Sequence, residues 1–206
     1  LVWPTTHFHA VSLPEASRDL VVVLGEEPSF RWKTFARHIT QVLNESDVEE
    51  VFLMGAFIGQ VPHRRPVPIV GGGTDPELLF DHGLSPTSYE GPTGIIGVLQ
   101  EACREGGLPA LSLWAATSHY LAANPNPKAM LALLDRAAAV AKFTVDRSEL
   151  EAITSEFDER VEAALADSGE LSEYITELED EAPTTPSPTL DPRFSNELVN
   201  EIEDFL

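Results

Sequence analysis

Residues Tyr89 to Asn126 read YEGPTGIIGVLQEACREGGLPALSLWAATSHYLAANPN, and this order decides the fold. Thr93 offers a hydroxyl to cap a helix start, and Gly94 and Gly97 keep that helix slim where it meets a neighbour. Ile95, Ile96, Val98, Leu99 and Ala102 supply its broad apolar face. Gly106 and Gly107 stop it, as glycine does past a helix end. Leu108 to Ala116 is then an almost unbroken apolar run, the pattern of a strand covered on both faces. Thr117, Ser118, His119 and Tyr120 follow at its C-terminal end, where ligands bind in an open parallel sheet.

Working outward, Leu20 to Leu24 (LVVVL) has the composition of a buried strand. Gly25-Glu26-Glu27-Pro28 turns the chain. Ser29 can cap a helix over Arg31 to Leu43, with Trp32, Phe35, Ile39, Val42 and Leu43 on one face. Val51 to Met54 is the next strand. Strand, helix, strand with short loops predicts a βαβ unit, hence parallel strands and a right-handed crossover. Val67 to Val70 and Leu84 to Glu90 read as further short strands. Pro127 to Phe143 predicts a helix with Met130, Leu131, Leu133, Leu134, Ala137 and Val140 buried, Met130 as core filling.

Asp146 to Ala166 and Glu170 to Glu181 read as two helices around Asp167-Ser168-Gly169, with acidic outer faces and apolar stripes through Leu150, Ile153, Phe157, Val161 and Leu165, then Leu171, Tyr174, Ile175 and Leu178. Such a hairpin must dock to bury its stripes. The expected fold is therefore α/β, with a mostly parallel central sheet flanked by helices and a C-terminal helical hairpin. The organisation divides into an α/β core over residues 1–144, an acidic hairpin over 145–181, a proline-rich linker over 182–192 and an amphipathic tail over 193–206.

The 206 residues are 43% hydrophobic, ordinary for a chain with a sizeable core, and carry a net charge of -21. Residues 145–206 hold 19 acidic and 3 basic residues, a net of -16, which leaves -5 for the first 144. That charge repels nucleic acid and anionic membrane, so neither is an expected partner. No apolar run approaches the ~20 residues of a spanning helix. The single cysteine, Cys103, makes no internal disulfide and fits a reducing, cytoplasmic setting. The first residue is Leu1 rather than Met, so the natural start is expected to be missing, and a cleaved signal stays open.

His7 and His9 alternate with Phe8 in an edge strand, without the spacing of a metal site. No metal and no cofactor is expected. The stretch Gly55 to Arg65, GAFIGQVPHRR, reads as a loop leaving the second strand. His63, Arg64 and Arg65 gather there in an acidic protein. They could bind an anion or carboxylate, with arginine giving bidentate contacts, or serve as internal partners for surplus acid groups. Gly71, Gly72 and Gly73 precede Asp75-Pro76 and a short helix, so they could cradle a phosphate, although a plain turn is favoured because no dinucleotide or P-loop signature is present. His119 is the candidate general acid or base, beside Tyr120; its alternative is a loop histidine bonded to a backbone carbonyl.

Together the segments LVVVLGEEPSFRW, VPHRRP, PTGIIGVLQEACREGGLPALSLWAATSHYL and PNPKAMLALL resemble the proteasome assembly chaperone 2 family, in its bacterial branch, over roughly Leu20 to Glu181. The resemblance implies a sheet like that of nucleoside phosphorylases and hydrolases, followed by a helical appendage, and a homo-oligomer, a trimer. Members are described as proteasome assembly factors. The glycine-rich opening segment expected of such a domain is absent here.

Three function classes follow. The favoured one is a non-catalytic protein-binding or assembly factor. The second is an enzyme that binds a small anionic substrate through His63, Arg64, Arg65, His119 and Tyr120. The third is a purely structural oligomer. The tail RFSNELVNEIEDFL places Phe194, Leu198, Val199, Ile202, Phe205 and Leu206 at helical spacing, so it should lie in a groove. It ends Asp204-Phe205-Leu206, where proteasome-binding tails carry a hydrophobic residue, a tyrosine and one more, so packing on its own oligomer is the favoured reading.

Overall fold

The computed structural model describes residues 3–84, 93–121, 125–166 and 169–181. The linker 182–192 and the tail 193–206 lie outside these, as does most of the strand expected over 84–90.

Strand β5 (Ala110–Ser118) is the middle of a 3-stranded sheet, with β3 (Val51–Gly59) on one side and β4 (Ile69–Gly73) on the other. Its apolar run is covered on both faces, as its composition predicts. Side chains alternate across the pleat. Ala110 therefore meets Ile39, Leu43, Cys103 and Leu108, the layer made with helices α1 (Trp32–Glu45) and α3 (Ile95–Glu105). Leu111 and Leu113 face the other way, onto Leu84 and onto Ala137 and Val140 of α4 (Pro127–Ala141). Fully burying one such leucine contributes about 1.5–3 kcal/mol.

β3 and β5 run parallel, in register from Val51 opposite Ala110 to Gly59 opposite Ser118. β4 runs antiparallel to β5, so the sheet is mixed. Gly71, Gly72 and Gly73 lie inside β4, not in the glycine loop expected before helix α2 (Pro76–Asp81). Close packing explains this. A Cβ on Gly72 would stand 2.7 Å from the Ser112 hydroxyl, and one on Gly71 would stand 3.1 Å from a Leu84 methyl.

The predicted βαβ unit starting at β2 (Leu20–Gly25) does not form. β2 pairs antiparallel with β1 (Thr6–Val11) in a separate 2-stranded ribbon. Val21, Val22, Val23 and Leu24 are 36–57% exposed rather than buried. A local turn wins here over a crossover. The Asp19 carboxylate accepts from the Ser12 hydroxyl at 3.1 Å and from the Leu13 N–H at 2.9 Å, which closes the hairpin.

Two helix starts also differ. Arg31, not Ser29, occupies the start of α1, in the left-handed region at φ 58°, and no side chain caps it. At α3 the cap comes from far away in sequence: the Glu27 carboxylate, not the Thr93 hydroxyl, accepts the Ile95 N–H at 3.0 Å. Met130 is 53% exposed on α4 and Ile153 is 45% exposed in the first acidic helix, so neither is core. α5 (Ser148–Ala166) and α6 (Gly169–Glu181) bury Phe157, Val161, Leu165, Ile175 and Leu178 against Tyr120 and Leu121, at the C-terminal end of β5.

Gly55 sits within β3, where a Cβ would stand 2.5 Å from the Trp114 ring. Replacing it by alanine should destabilise the fold by about 1–3 kcal/mol through overpacking against a rigid ring. Urea unfolding of Gly55→Ala, read by Trp fluorescence, checks this.

Candidate functional site

Because β3 and β5 are parallel, both leave the sheet at the same edge. β3 continues to Gly59, so the loop read from Gly55 begins only at Gln60. It brings His63, Arg64 and Arg65 beside the one-turn helix His119–Leu121 that follows β5. Ser118 fastens the loop by donating its hydroxyl to the Val61 carbonyl at 2.7 Å. The glycines 71–73 pair with Leu113, Ser112 and Leu111, toward the opposite end of β5, away from this edge.

Tyr120 is fully buried between the two histidines, edge-on to both rings, with centroids 5.7 Å from His63 and 5.1 Å from His119. Its oxygen accepts the His63 backbone N–H at 2.9 Å and lies 2.9 Å from His63 Nδ1. His63 Nε2 lies 3.1 Å from Glu162 Oε1, on α5. A carboxylate only accepts, so Nε2 carries the ring proton, and Nδ1 accepts the Tyr120 O–H. The order of donation runs from Tyr120 to His63 to Glu162. Burial holds the His63 pKa below its ordinary 6.5 even though Glu162 pulls it up, which keeps the ring neutral. Burial likewise pushes the Tyr120 phenol up to about 12.

Glu162 receives more than the histidine. Arg64 Nε and Nη2 donate to its two oxygens at 2.8 Å each, a bidentate fork. These bonds, with the one from His63, bring the carboxyl pKa from 4.5 down to about 2. Glu162 is 47% exposed, so solvent screening keeps the pair near the ~1 kcal/mol of surface bridges, well below what the shift alone suggests. Arg65 donates to the Glu179 carbonyl of α6. Lys128 donates to the His63 carbonyl at 2.6 Å and pairs with Asp158 of α5 at 3.0 Å. Its place is set by the Pro-Asn-Pro-Lys start of α4, where Asn126 caps by accepting the Ala129 N–H at 3.1 Å.

His119 is buried too. Its Nδ1 lies 3.4 Å from the Gly59 carbonyl, and its ring meets Tyr120 and, at 5.9 Å, Tyr174 of α6 edge-on. The cavity beside His63, lined by Asn126 and Lys128 among others, measures about 10 Å³, room for about one water. Among the described residues no group of His, Cys, Asp and Glu is placed to hold a metal, and no helix is long and apolar enough to cross a membrane.

Of the candidate residues, His63, Arg64, Arg65, His119 and Tyr120 are brought together at this edge, and Gly71, Gly72 and Gly73 are not. Lys128, Glu162 and Glu179 are not among the candidates: the acidic faces that carry the two glutamates read as solvated surface, and Lys128 sits in a helix start that marks only its cap. A surplus of cations in one loop calls for carboxylates, but nothing in the sequence says which of so many.

The PAC2 family profile matches residues 1–165. The chain belongs to the PAC2 family. It is 44% identical to a PAC2 family protein of Streptomyces avermitilis, covering 85% of this chain and 73% of that one, with a TM-score of 0.78. It is 38% identical to a proteasome-assembly chaperone homologue of Mycobacterium tuberculosis, covering 84% and 73%, with a TM-score of 0.76. An archaeal proteasome activator of Pyrococcus furiosus shares the fold, with a TM-score of 0.62 at 19% identity over 76% and 69% of the two chains. No curated protein matches the sequence.

In this PAC2 chain the two pKa depressions give two acid windows. His63 is held below 6.5, so its share of stability is full above 6.5 and is lost as pH falls through and below that value. Glu162 contributes fully above 4.5, and its share is lost as pH falls toward about 2. Melting temperature measured against pH should fall in both windows in the wild type, and His63→Gln should abolish the upper one alone.

Proposed function

We propose that this chain is a non-catalytic, protein-binding assembly factor. The carrying observation is its membership in a family whose relatives include a proteasome-assembly chaperone homologue at 38% identity. The chemistry of the sheet edge supports the same reading. His63, Arg64 and Lys128 each hold a group of the chain itself, and Tyr120 fills the space between the histidines. An enzyme for a small anion would draw on the same side chains, but beside His63 there is room for about one water, far below the few hundred Å³ of ordinary ligand pockets.

The proposed partners are proteasome core subunits, met in a reducing, cytoplasmic setting. The proposed assembly is a homo-oligomer, a trimer, with the phosphorylase-like sheet as its body. Residues 145–181 act as a helical hairpin appendage, docked through its apolar stripe and through Glu162 and Glu179. The tail 193–206 packs on the chain's own oligomer.

Light scattering is expected to give a multiple of 22.5 kDa, and mixing with purified proteasome core subunits should give a larger complex on size-exclusion chromatography. A monomer that forms no complex with those subunits contradicts the proposal.

A further inference from the structure

The Glu162 carboxylate sits in a receptor whose donors come from outside its own helix. The donors come from the loop after β3: Arg64 Nε and Nη2 at 2.8 Å and His63 Nε2 at 3.1 Å. Tyr120, at the end of β5, sets the His63 ring and its backbone N–H, each at 2.9 Å, while Lys128 of α4 holds the His63 carbonyl at 2.6 Å. The His63 side chain is only 2% exposed. Its one outward donor, Nε2–H, therefore points at a fixed spot, held by Tyr120 on one side and Lys128 on the other. One buried donor beside a guanidinium fork is what bidentate carboxylate recognition needs.

The acceptor belongs to a different part of the chain, and it is accessible. Glu162 is 47% exposed and Arg64 35%, so another carboxylate can reach the fork without opening the core. The whole chain carries -21, which repels an acidic partner almost everywhere else. Here Arg64, Arg65 and Lys128 offset the local carboxylates of Glu162, Glu179 and Asp158, so a carboxylate that takes the place of Glu162 meets no excess negative charge.

We propose that the His63–Arg64 loop is a carboxylate-recognition site whose internal occupant, Glu162, exchanges with a carboxylate of a partner protein. The inference rests on the protein-binding reading above and gives it a contact chemistry. An internal ligand acts at an effective concentration of the order of millimolar. A free carboxylate therefore does not compete in the wild type, whereas one delivered by a partner with further contacts does. Exchange frees Glu162 and loosens α5, so capture of the partner and release of the helix are coupled.

The test uses the full chain with Glu162→Gln, which replaces the charged occupant by a neutral amide, a weaker acceptor, and keeps the donors. Acetate is the probe, titrated at neutral pH while the NMR signals of Arg64 Nε–H and His63 Nε2–H are followed. Saturable shifts are expected in the Gln variant, with binding at least about tenfold weaker in Glu162→Gln/Arg64→Ala and no response in the wild type. If the Gln variant unfolds, Glu162→Ala gives the same readout, because it leaves no acceptor at the fork. Two peptides then separate the sources: one with a free C-terminus and no acidic side chain, and one with an internal Glu and an amidated C-terminus. No saturable shift in either folded variant overturns the proposal, as does a response that survives loss of Arg64. A wild-type complex with proteasome subunits that is unchanged by Arg64→Ala also overturns it, while leaving the assembly-factor reading intact.

Discussion

A single buried hydroxyl joins the parts of this protein. The Tyr120 oxygen takes the backbone N–H of His63 and gives its own hydrogen to the His63 ring, which passes the order of donation on to Glu162. Tyr120 also lies in the apolar cluster that receives α5 and α6. Sheet end, loop and acidic helices therefore meet at one residue. A buried donor or acceptor left without its partner costs about 1–3 kcal/mol, so loss of the hydroxyl is felt on both sides. The apolar contacts supply most of the docking energy, and the polar chain sets its register.

This division of labour explains how so acidic a segment sits against the core. Phe157, Val161 and Leu165 are buried on one side of α5, and Asp158 and Glu162 lie beside them, facing Lys128 and Arg64. Charge repulsion within the segment is offset where it touches the sheet end, and elsewhere the carboxylates stay in water. The neutral state of His63 belongs to the same design. A protonated ring would set an Nδ1–H against a phenol oxygen that already accepts one hydrogen.

Much of this was legible in the sequence. The almost unbroken apolar run LPALSLWAA declared a strand covered on both faces, and β5 is that strand. Parallel pairing of β3 with β5 put His63 and His119 at one edge. The stripe of Phe157, Val161 and Leu165 announced a docked helix. What failed did so for physical reasons. LVVVL says that a strand is apolar but not which strand it pairs with, and a hairpin closed by Asp19 formed in place of the crossover. Three glycines signal a turn unless a neighbour needs their space, as Ser112 and Leu84 do. Arg64 and Glu162 are 98 residues apart, and no local pattern links them.

Tyr120 is the joint between sheet and acidic helices. Amide hydrogen exchange on Tyr120→Phe tests this most directly, because the ring stays and only the hydroxyl goes. Exchange should quicken about tenfold or more through α5 and α6, in line with a lost buried hydrogen bond, while β5 and α3 keep their protection. Unchanged protection in α5 and α6, or an equal loss across the whole sheet, would contradict it.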